Sequence, residues 1–257
     1  MTILISNDDG IHSTGIRQLA RSLEGLGTLW VVAPDREQSA VGHSITLSDP
    51  IRLVTLDVDG ADHTYAISGT PADCVKLAMT ELMDEPPDLV VSGINRGENT
   101  GISVIYSGTV SAATEGAING VPSMAVSLDS FTSQDYEFAG LVARRFAEHV
   151  LRSGLPDGTL LNVNVPCLAP EQIKGVRVVP QGRGRFKETF LERDDPRGRR
   201  YYWMDGDKEP HRETNTDGAA LKEGYVAVTP IHLDFTHHAF LDDLVRWNVS
   251  LEAPVAS

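Results

Sequence analysis

In the first half of the chain, short apolar runs alternate with stretches of helical periodicity, and this commits the fold to βαβ units around a parallel sheet. Ile3 to Ser6 and Thr28 to Ala33 read as buried strands, the second stopped by Pro34. Between them, Thr14 to Leu26 places Ile16, Leu19, Ala20 and Leu23 at helical spacing. Residues 45–67 read as extended excursions that turn near Gly60. Thr70-Pro71-Ala72-Asp73 is a helix start, with Thr70 as cap, Pro71 in the first helical position and Asp73 in the first turn. That helix is expected to reach Met83. Asp88 to Ser92 reads as a third parallel strand, and a glycine-rich loop follows from Gly93 to Gly108. A helix of small residues (Thr109 to Asn119), a strand (Ser123 to Leu128) and a long amphipathic helix (Asp135 to Ser153) complete the pattern.

The second half changes character. Leu160 to Val165, Val176 to Pro180 and Tyr225 to Ile231 read as strands, and His238 to Trp247 as a closing helix. From Arg183 to Asn215 the chain is too polar for a core: Arg183, Arg185, Lys187, Arg193, Arg197, Arg199 and Arg200 stand among acids and aromatics. Tyr201, Tyr202 and Trp203 favour a strand, so this segment is expected to project as a hairpin arm. The expectation is one domain over residues 1–257, with a core of residues 1–180 and 216–236 and an arm over 183–215.

Charge limits the partners. With 36 acidic and 22 basic residues the chain carries a net charge of -14, which argues against a nucleic-acid polymer. A small phosphorylated ligand is compatible where a cation or a helix end reverses the local sign. Cys74 and Cys167 lie far apart and form no Cys-x-x-Cys pair, as expected of unpaired thiols in a reducing compartment. No run approaches the ~18 apolar residues of a membrane span, and no secretory signal pattern opens the chain. A cytoplasmic protein without a membrane partner is expected.

In an open parallel sheet, ligands collect outside the carboxyl ends of the strands. Three polar clusters fall there: Asp8 and Asp9 after the first strand, Asp35 to Ser39 after the second, and Asn95 after the third. Asp8, Asp9, Ser39 and Asn95 are all hard oxygen donors, suited to Mg²⁺, Mn²⁺ or Ca²⁺ and not to zinc or copper. An isolated Asp-Asp-Gly is more often a solvated turn; the two further clusters on the same rim favour the metal reading. Ser107-Gly108-Thr109 opens a helix, where free backbone N–H groups and the dipole favour a phosphate, although a lone Ser or Thr there is commonly just a cap. No Walker lysine follows, so this is not an NTPase loop, and no Gly-x-Gly-x-x-Gly fingerprint follows the first strand, which argues against a dinucleotide cofactor. His43 can serve as a hydrogen-bond or proton donor to a phosphate ester, or be a plain loop histidine.

These motifs together closely resemble the SurE (survival protein E) family. The carriers are Ser6-Asn7-Asp8-Asp9-Gly10, Ser39 through Thr46, Gly69-Thr70-Pro71-Ala72-Asp73-Cys74, Ser92-Gly93-Ile94-Asn95 and Asn99-Thr100-Gly101. Tyr106-Ser107-Gly108-Thr109-Val110 with Glu115-Gly116, and a late Thr216-Asp217 before Gly224-Tyr225-Val226, extend the match over almost the whole chain. The resemblance implies a Rossmann-like three-layer α/β core, mainly parallel, with a C-terminal hairpin and helix arm used in oligomerisation. It implies one divalent cation per subunit on Asp8, Asp9, Ser39 and Asn95. Ser107, Gly108, Thr109, His43 and Asn99 are expected as phosphate contacts, although some members of the family carry Asn at the position of His43. The resemblance further implies hydrolysis of nucleoside 5′- and 3′-monophosphates, with short polyphosphate as a further substrate, by a homodimer or homotetramer. Asp8 and Asp9 are then the catalytic pair, acting through an activated water or through an aspartyl-phosphate. Two rivals are weighed: a phospho-receiver module, whose third strand should end in Asp where this chain has Ser92-Gly93-Ile94-Asn95, and a nucleotide-binding protein without turnover.

Overall fold

A computed structural model describes residues 1–208 and 213–249. Strand β1 (Thr2–Ser6), helix α1 (Thr14–Leu23) and β2 (Thr28–Pro34) make the first βαβ unit. β3 (Leu53–Thr55) and β4 (His63–Ile67) come next, then α2 (Pro71–Leu77), which runs into a π-helical turn over Ala78–Leu82. β5 (Leu89–Arg96), α3 (Ser103–Tyr106), α4 (Gly108–Ile118), β6 (Ser123–Asp129), α5 (Glu137–Ser153) and β7 (Thr159–Pro166) follow. The chain closes with β8 (Val176–Val178), β9 (Phe186–Asp194), β10 (Arg200–Lys208), α6 (Asp217–Lys222), β11 (Val226–His232) and α7 (Leu241–Val245).

One sheet takes the order β3-β4-β2-β1-β5-β6-β7-β11-β8. The strands from β4 to β7 in that order are parallel. The flanking β3 and β11 run antiparallel to β4 and β7. The chain moves outward from β1 to β2 and β4, then returns to β5 on the other side of β1. That reversal is the topological switch point, where a crevice opens beyond the strand ends.

Side chains alternate across the strands and supply both faces. Ile3 and Ile5 pack with Ile16, Leu19 and Leu23 of α1 and with Ala139 and Ala143 of α5. Leu4, Val32 and Val90 pack on the opposite face with Cys74, Val75 and Ala112 from α2 and α4. This gives the expected three layers. Helix starts follow the sequence closely: Ser13 caps α1, and Thr70 with Asp73 forms a reciprocal capping box on α2.

Several boundaries differ from the sequence reading, each for a local reason. β5 continues to Arg96, so Gly93 to Arg96 belong to a strand and not to the glycine-rich loop. A register shift between Ser92 and Asn95 hides the pairing from the apolar pattern. Gly93 has a φ of 138°, and a Cβ there would lie 2.3 Å from the Val126 carbonyl oxygen. α1 stops at Leu23 rather than Leu26, because Gly25 turns the chain with a φ of 80°. The span 45–67 contributes β4 as a true parallel strand beside β2. α3 lies where a loop was expected, and α6 was not expected at all. The closing helix is broken into a 3₁₀ turn (His238–Phe240) and the short α7. Residues 186–208 do form a hairpin, β9 with β10, in a separate two-stranded sheet; arm residues 209–212 lie outside the described residues.

Gly15 in α1 sets how closely that helix approaches β5. A Cβ on it would sit 2.0 Å from the Ile94 carbonyl oxygen. In an exposed helix, Gly to Ala gains up to about 1 kcal/mol. Here Gly15→Ala should instead cost about 1–3 kcal/mol, through displacement of α1 from the sheet. Urea unfolding of the two proteins measures the difference, and an unchanged or raised midpoint would contradict the close approach.

Candidate active site

Asp8 and Asp9 leave the carboxyl end of β1 at the switch point. Asn7 closes the turn beneath them: its side-chain amide donates to the Gly10 carbonyl at 3.0 Å and to Ser13 Oγ at 2.8 Å. Asp8 is buried against the first turn of α4. The Thr109 hydroxyl donates a short hydrogen bond to Asp8 Oδ1. Gly108 is obligatory in this contact, since a Cβ there would lie 2.6 Å from Asp8 Cβ and 2.9 Å from Asp8 Oδ2. Burial pushes the Asp8 carboxyl up to about 6; the bonds from Thr109 oppose the rise and the charge of Asp9 adds to it. Asp9 is less enclosed. Its carboxyl is also raised, by burial first, against the Arg96 N–H and guanidinium charge that lower it.

Main-chain bonds bring the other two rim clusters to this pair. The Gln38 N–H donates to the Asp8 carbonyl oxygen at 2.7 Å, which sets Ser39 beside the aspartates. The Arg96 N–H donates to Asp9 Oδ2 at 2.9 Å, which does the same for Asn95. Two exposed side chains then link the rim: Ser39 Oγ donates to Glu37 Oε1 at 2.7 Å, and the Arg96 guanidinium pairs with the same carboxylate at 3.2 Å. Asn95 donates its amide N–H to the Gly97 carbonyl at 2.7 Å. Asp8, Asp9, Ser39 and Asn95 therefore occupy one rim.

The residues expected to meet phosphate are more scattered in their commitments. Ser107 caps α4, its hydroxyl accepting from the Val110 N–H at 3.0 Å. Thr109 has its hydroxyl on Asp8. Gly108 is left with its backbone N–H. His43 directs Nε2 to Glu115 Oε2 at 2.8 Å. Asn99 is buried and donates to Ser127 Oγ at 2.9 Å, while its own backbone N–H is held by Asn164 Oδ1 at 2.7 Å.

Two supporting carboxylates, Glu37 in the rim cluster and Glu115 in the helix motif, have roles that the sequence does not assign. Glu37 bridges Ser39 and Arg96. Glu115, almost fully enclosed, accepts from His43, from Lys76 Nζ at 2.5 Å and from Asn119 at 3.1 Å. Its signal was an acid embedded in a helix of otherwise small residues. Burial favours its protonated form, but the bonds from His43 and Lys76 outweigh that and lower the carboxyl to about 2. Through His43, Glu115 fixes the segment that carries Ser39. The same segment is pinned by the Gly42 N–H on the Tyr106 carbonyl and by Thr46 on both Asp73 oxygens.

Doubly wound sheet, switch-point crevice and an oxygen-donor rim facing a helix N-terminus define an α/β protein of the phosphate-handling class. The family model described as "Survival protein SurE" matches residues 3–188, and the chain belongs to that family. Among similar proteins, the 5'-nucleotidase SurE of Moorella thermoacetica is 49% identical over 249 residues, covering 96% of each chain. That of Syntrophobacter fumaroxidans is 48% identical over 254 residues, covering 97% of this chain and all of its own. The crystal structure of SurE protein from Aquifex aeolicus superposes with a TM-score of 0.84 at 42% identity, over 97% of this chain and 100% of that one.

Glu115→Gln should destabilise the protein by about 1–3 kcal/mol at neutral pH, because one amide oxygen cannot accept from both His43 and Lys76. The folded carboxyl sits near 2, below its ordinary 4.5. The contribution is thus complete above about pH 4.5 and fades as pH falls toward about 2. Unfolding curves of wild type and E115Q should converge through that window; a constant offset would contradict the ion network.

Proposed function

We propose that the chain hydrolyses nucleoside 5′-monophosphates to nucleoside and phosphate, using one divalent cation, Mg²⁺ or Mn²⁺, with Ca²⁺ able to take the same place. The observation that carries this reading is the donor set on the rim. The Asp8 carboxylate accepts a side-chain hydrogen bond only at Oδ1, and Asp9 accepts the Arg96 N–H only at Oδ2. Ser39 and Asn95 each act as donors, to Glu37 and to the Gly97 carbonyl, which leaves their oxygen lone pairs for a cation. Four hard donors oriented by their own hydrogen bonds, two of them carboxylates that burial makes costly to ionise alone, fit a hard cation. No cluster of three His, Cys, Asp or Glu occurs among the described residues, so a softer metal has no comparable site there.

When bound, the cation polarises a phosphoryl oxygen and offsets the charge that develops on it. Backbone N–H groups of Ser107 and Gly108 hold the remaining oxygens at the start of α4, beside Thr109, whose hydroxyl and N–H are held by Asp8. Asp9 takes the proton of the attacking water, since Asp8 is the more enclosed of the pair and is pinned by Thr109. The water oxygen joins phosphorus, the bond to the nucleoside oxygen breaks, and that oxygen leaves with the electron pair and is protonated. His43 keeps Nδ1 for a phosphate oxygen or the leaving group, and Asn99 bounds the pocket. Nucleoside 3′-monophosphates and short polyphosphate present the same phosphoryl group to this site and are included in the substrate range.

Assembly belongs to the same reading. The hairpin β9–β10 exposes Phe190, Leu191, Tyr202, Trp203 and Met204. An isolated two-stranded ribbon is marginal in water, which supports packing against a second copy in a homodimer or homotetramer. No helix among the described residues is long and apolar enough to cross a membrane. The exposed, unpaired Cys167 is in keeping with a reducing, cytoplasmic setting.

Phosphate release from AMP with Mn²⁺ tests the function, and a panel of 5′- and 3′-nucleotides and polyphosphate sets its range. Asp8→Asn and Asp9→Asn should each lower kcat by about a thousandfold or more. EDTA should abolish turnover and Mn²⁺ restore it, with Mn²⁺ binding followed separately by electron paramagnetic resonance and lost in Asp8→Asn. Full activity after exhaustive chelation would end the metal reading. Labelled phosphate recovered on Asp9 after an acid quench would replace the activated water with an aspartyl-phosphate.

A further inference from the structure

Asp217 takes no part in the chemistry above, yet its carboxylate is fully buried and no Lys or Arg pairs with it among the described residues. Three backbone N–H groups satisfy it instead. Oδ1 accepts from Gly182 at 2.9 Å and from Gly218 at 2.7 Å, and Oδ2 accepts from Gly101 at 2.8 Å. The first two donors belong to the root of the hairpin arm and to the start of α6. The third belongs to the segment that leaves Asn95 and leads through α3 to Ser107.

Other contacts press the same two segments together. Gln181 Nε2 donates to the Gly101 carbonyl at 2.7 Å, and the Ile102 N–H donates to the Gly184 carbonyl at 2.8 Å. A Cβ on Gly101, whose φ is 56°, would lie 2.4 Å from the Gly184 oxygen. Across the segment, Asn99 is clamped by Asn162 and Asn164, which donate to its carbonyl at 2.8 and 3.1 Å. The segment is thus gripped from β7 on one side and from the arm root on the other.

We propose that Asp217 is a positioning residue: its carboxylate seats the Asn99-Thr100-Gly101 segment on the root of the hairpin arm, and that seating sets the spacing between Asn95 and the Ser107-Gly108-Thr109 helix start. The inference rests on the reading of those residues as the metal and phosphate site. A carboxylate is required because all three partners are donors. In Asp217→Asn the amide oxygen can keep Gly182 and Gly218, and the NH₂ must then face the Gly101 N–H. The substitution breaks the one bond that reaches the site segment and spares the two that hold the root.

Hydrogen exchange of the metal-loaded protein and steady-state kinetics with AMP test this together. Asp217→Asn should speed exchange across residues 97–109 and lower kcat/KM about tenfold, mainly through KM, while the rest of the sheet keeps its protection. Gly101→Ala leaves the carboxylate in place and forces the same two segments apart, so it should give the same pair of changes and serves where D217N folds poorly. A lower melting temperature with unchanged exchange over 97–109 and unchanged KM in both variants would reduce Asp217 to a purely structural role and overturn the proposal. Asp9→Asn is the control for the site itself. If it remains active the site reading fails, whereas the exchange result still decides whether the latch couples arm and segment.

Discussion

Asp8 faces the first turn of α4 across a contact that has no room for a side chain at residue 108. Much else in the molecule is arranged to permit that contact. The sheet order places β1 at the switch point, so that a helix following β5 can aim its N-terminus at the residue following β1. Gly15 and Gly108 remove the side chains that would hold α1 and α4 away from the strand ends. The carboxylate so enclosed is driven toward its neutral form by burial, against the bonds from Thr109 and from its own backbone N–H. An enclosed acid of this kind is costly in an apolar fold and useful where a cation is to be bound.

Around that contact, the supporting structure consists of loops tied down by buried acids. The segment carrying Ser39 is held by Glu115 through His43 and by Asp73 through Thr46. The segment between Asn95 and Ser107 is held by Asp217 and by the asparagines of β7. In each case a buried carboxylate or amide fixes the loop's path, through backbone groups at Asn99, Gly101 and Thr46 and through the side chain of His43. Glycine-rich, polar loops lack apolar side chains with which to pack, so buried polar anchors take over that task.

This division explains what the sequence discloses. Strands and helices carry their periodicity in Ile3, Leu4 and Ile5 or in Ile16, Leu19 and Leu23, and the capping of α2 is spelled out by Thr70 and Asp73. The rim residues Asp8, Asp9, Ser39 and Asn95 are legible too, because each falls just after an apolar run. β5 beyond Ser92 is not legible, since Gly93 and Asn95 are there for the register shift and the site, not for the core. Glu115 and Asp217 escape for a related reason: whether an acid is a solvated surface group or a buried anchor depends on donors 72 or 116 residues away. The broken C-terminal helix escapes because His238 to Trp247 has a helical pattern but, within this chain, no buried residue to anchor it.

The charge of the molecule bears on the proposed reaction. A chain with a net charge of -14 must attract a phosphate dianion to a rim that already holds two carboxylates. Near the rim, Arg96 is paired with Glu37, and Lys76 is paired with Glu115. On the proposed reading, what the start of α4 offers the phosphate is neutral: backbone N–H groups. On that reading, the cation supplies the main attraction at the rim, and the substrate and the cation bind as one cooperative unit. The same arrangement favours release, because the surrounding negative field repels the freed phosphate and only the cation retains it. A site built with its own arginines would hold phosphate without metal and would part with it slowly. Neutral donors, a bound cation and an acidic surround let the metal govern both steps.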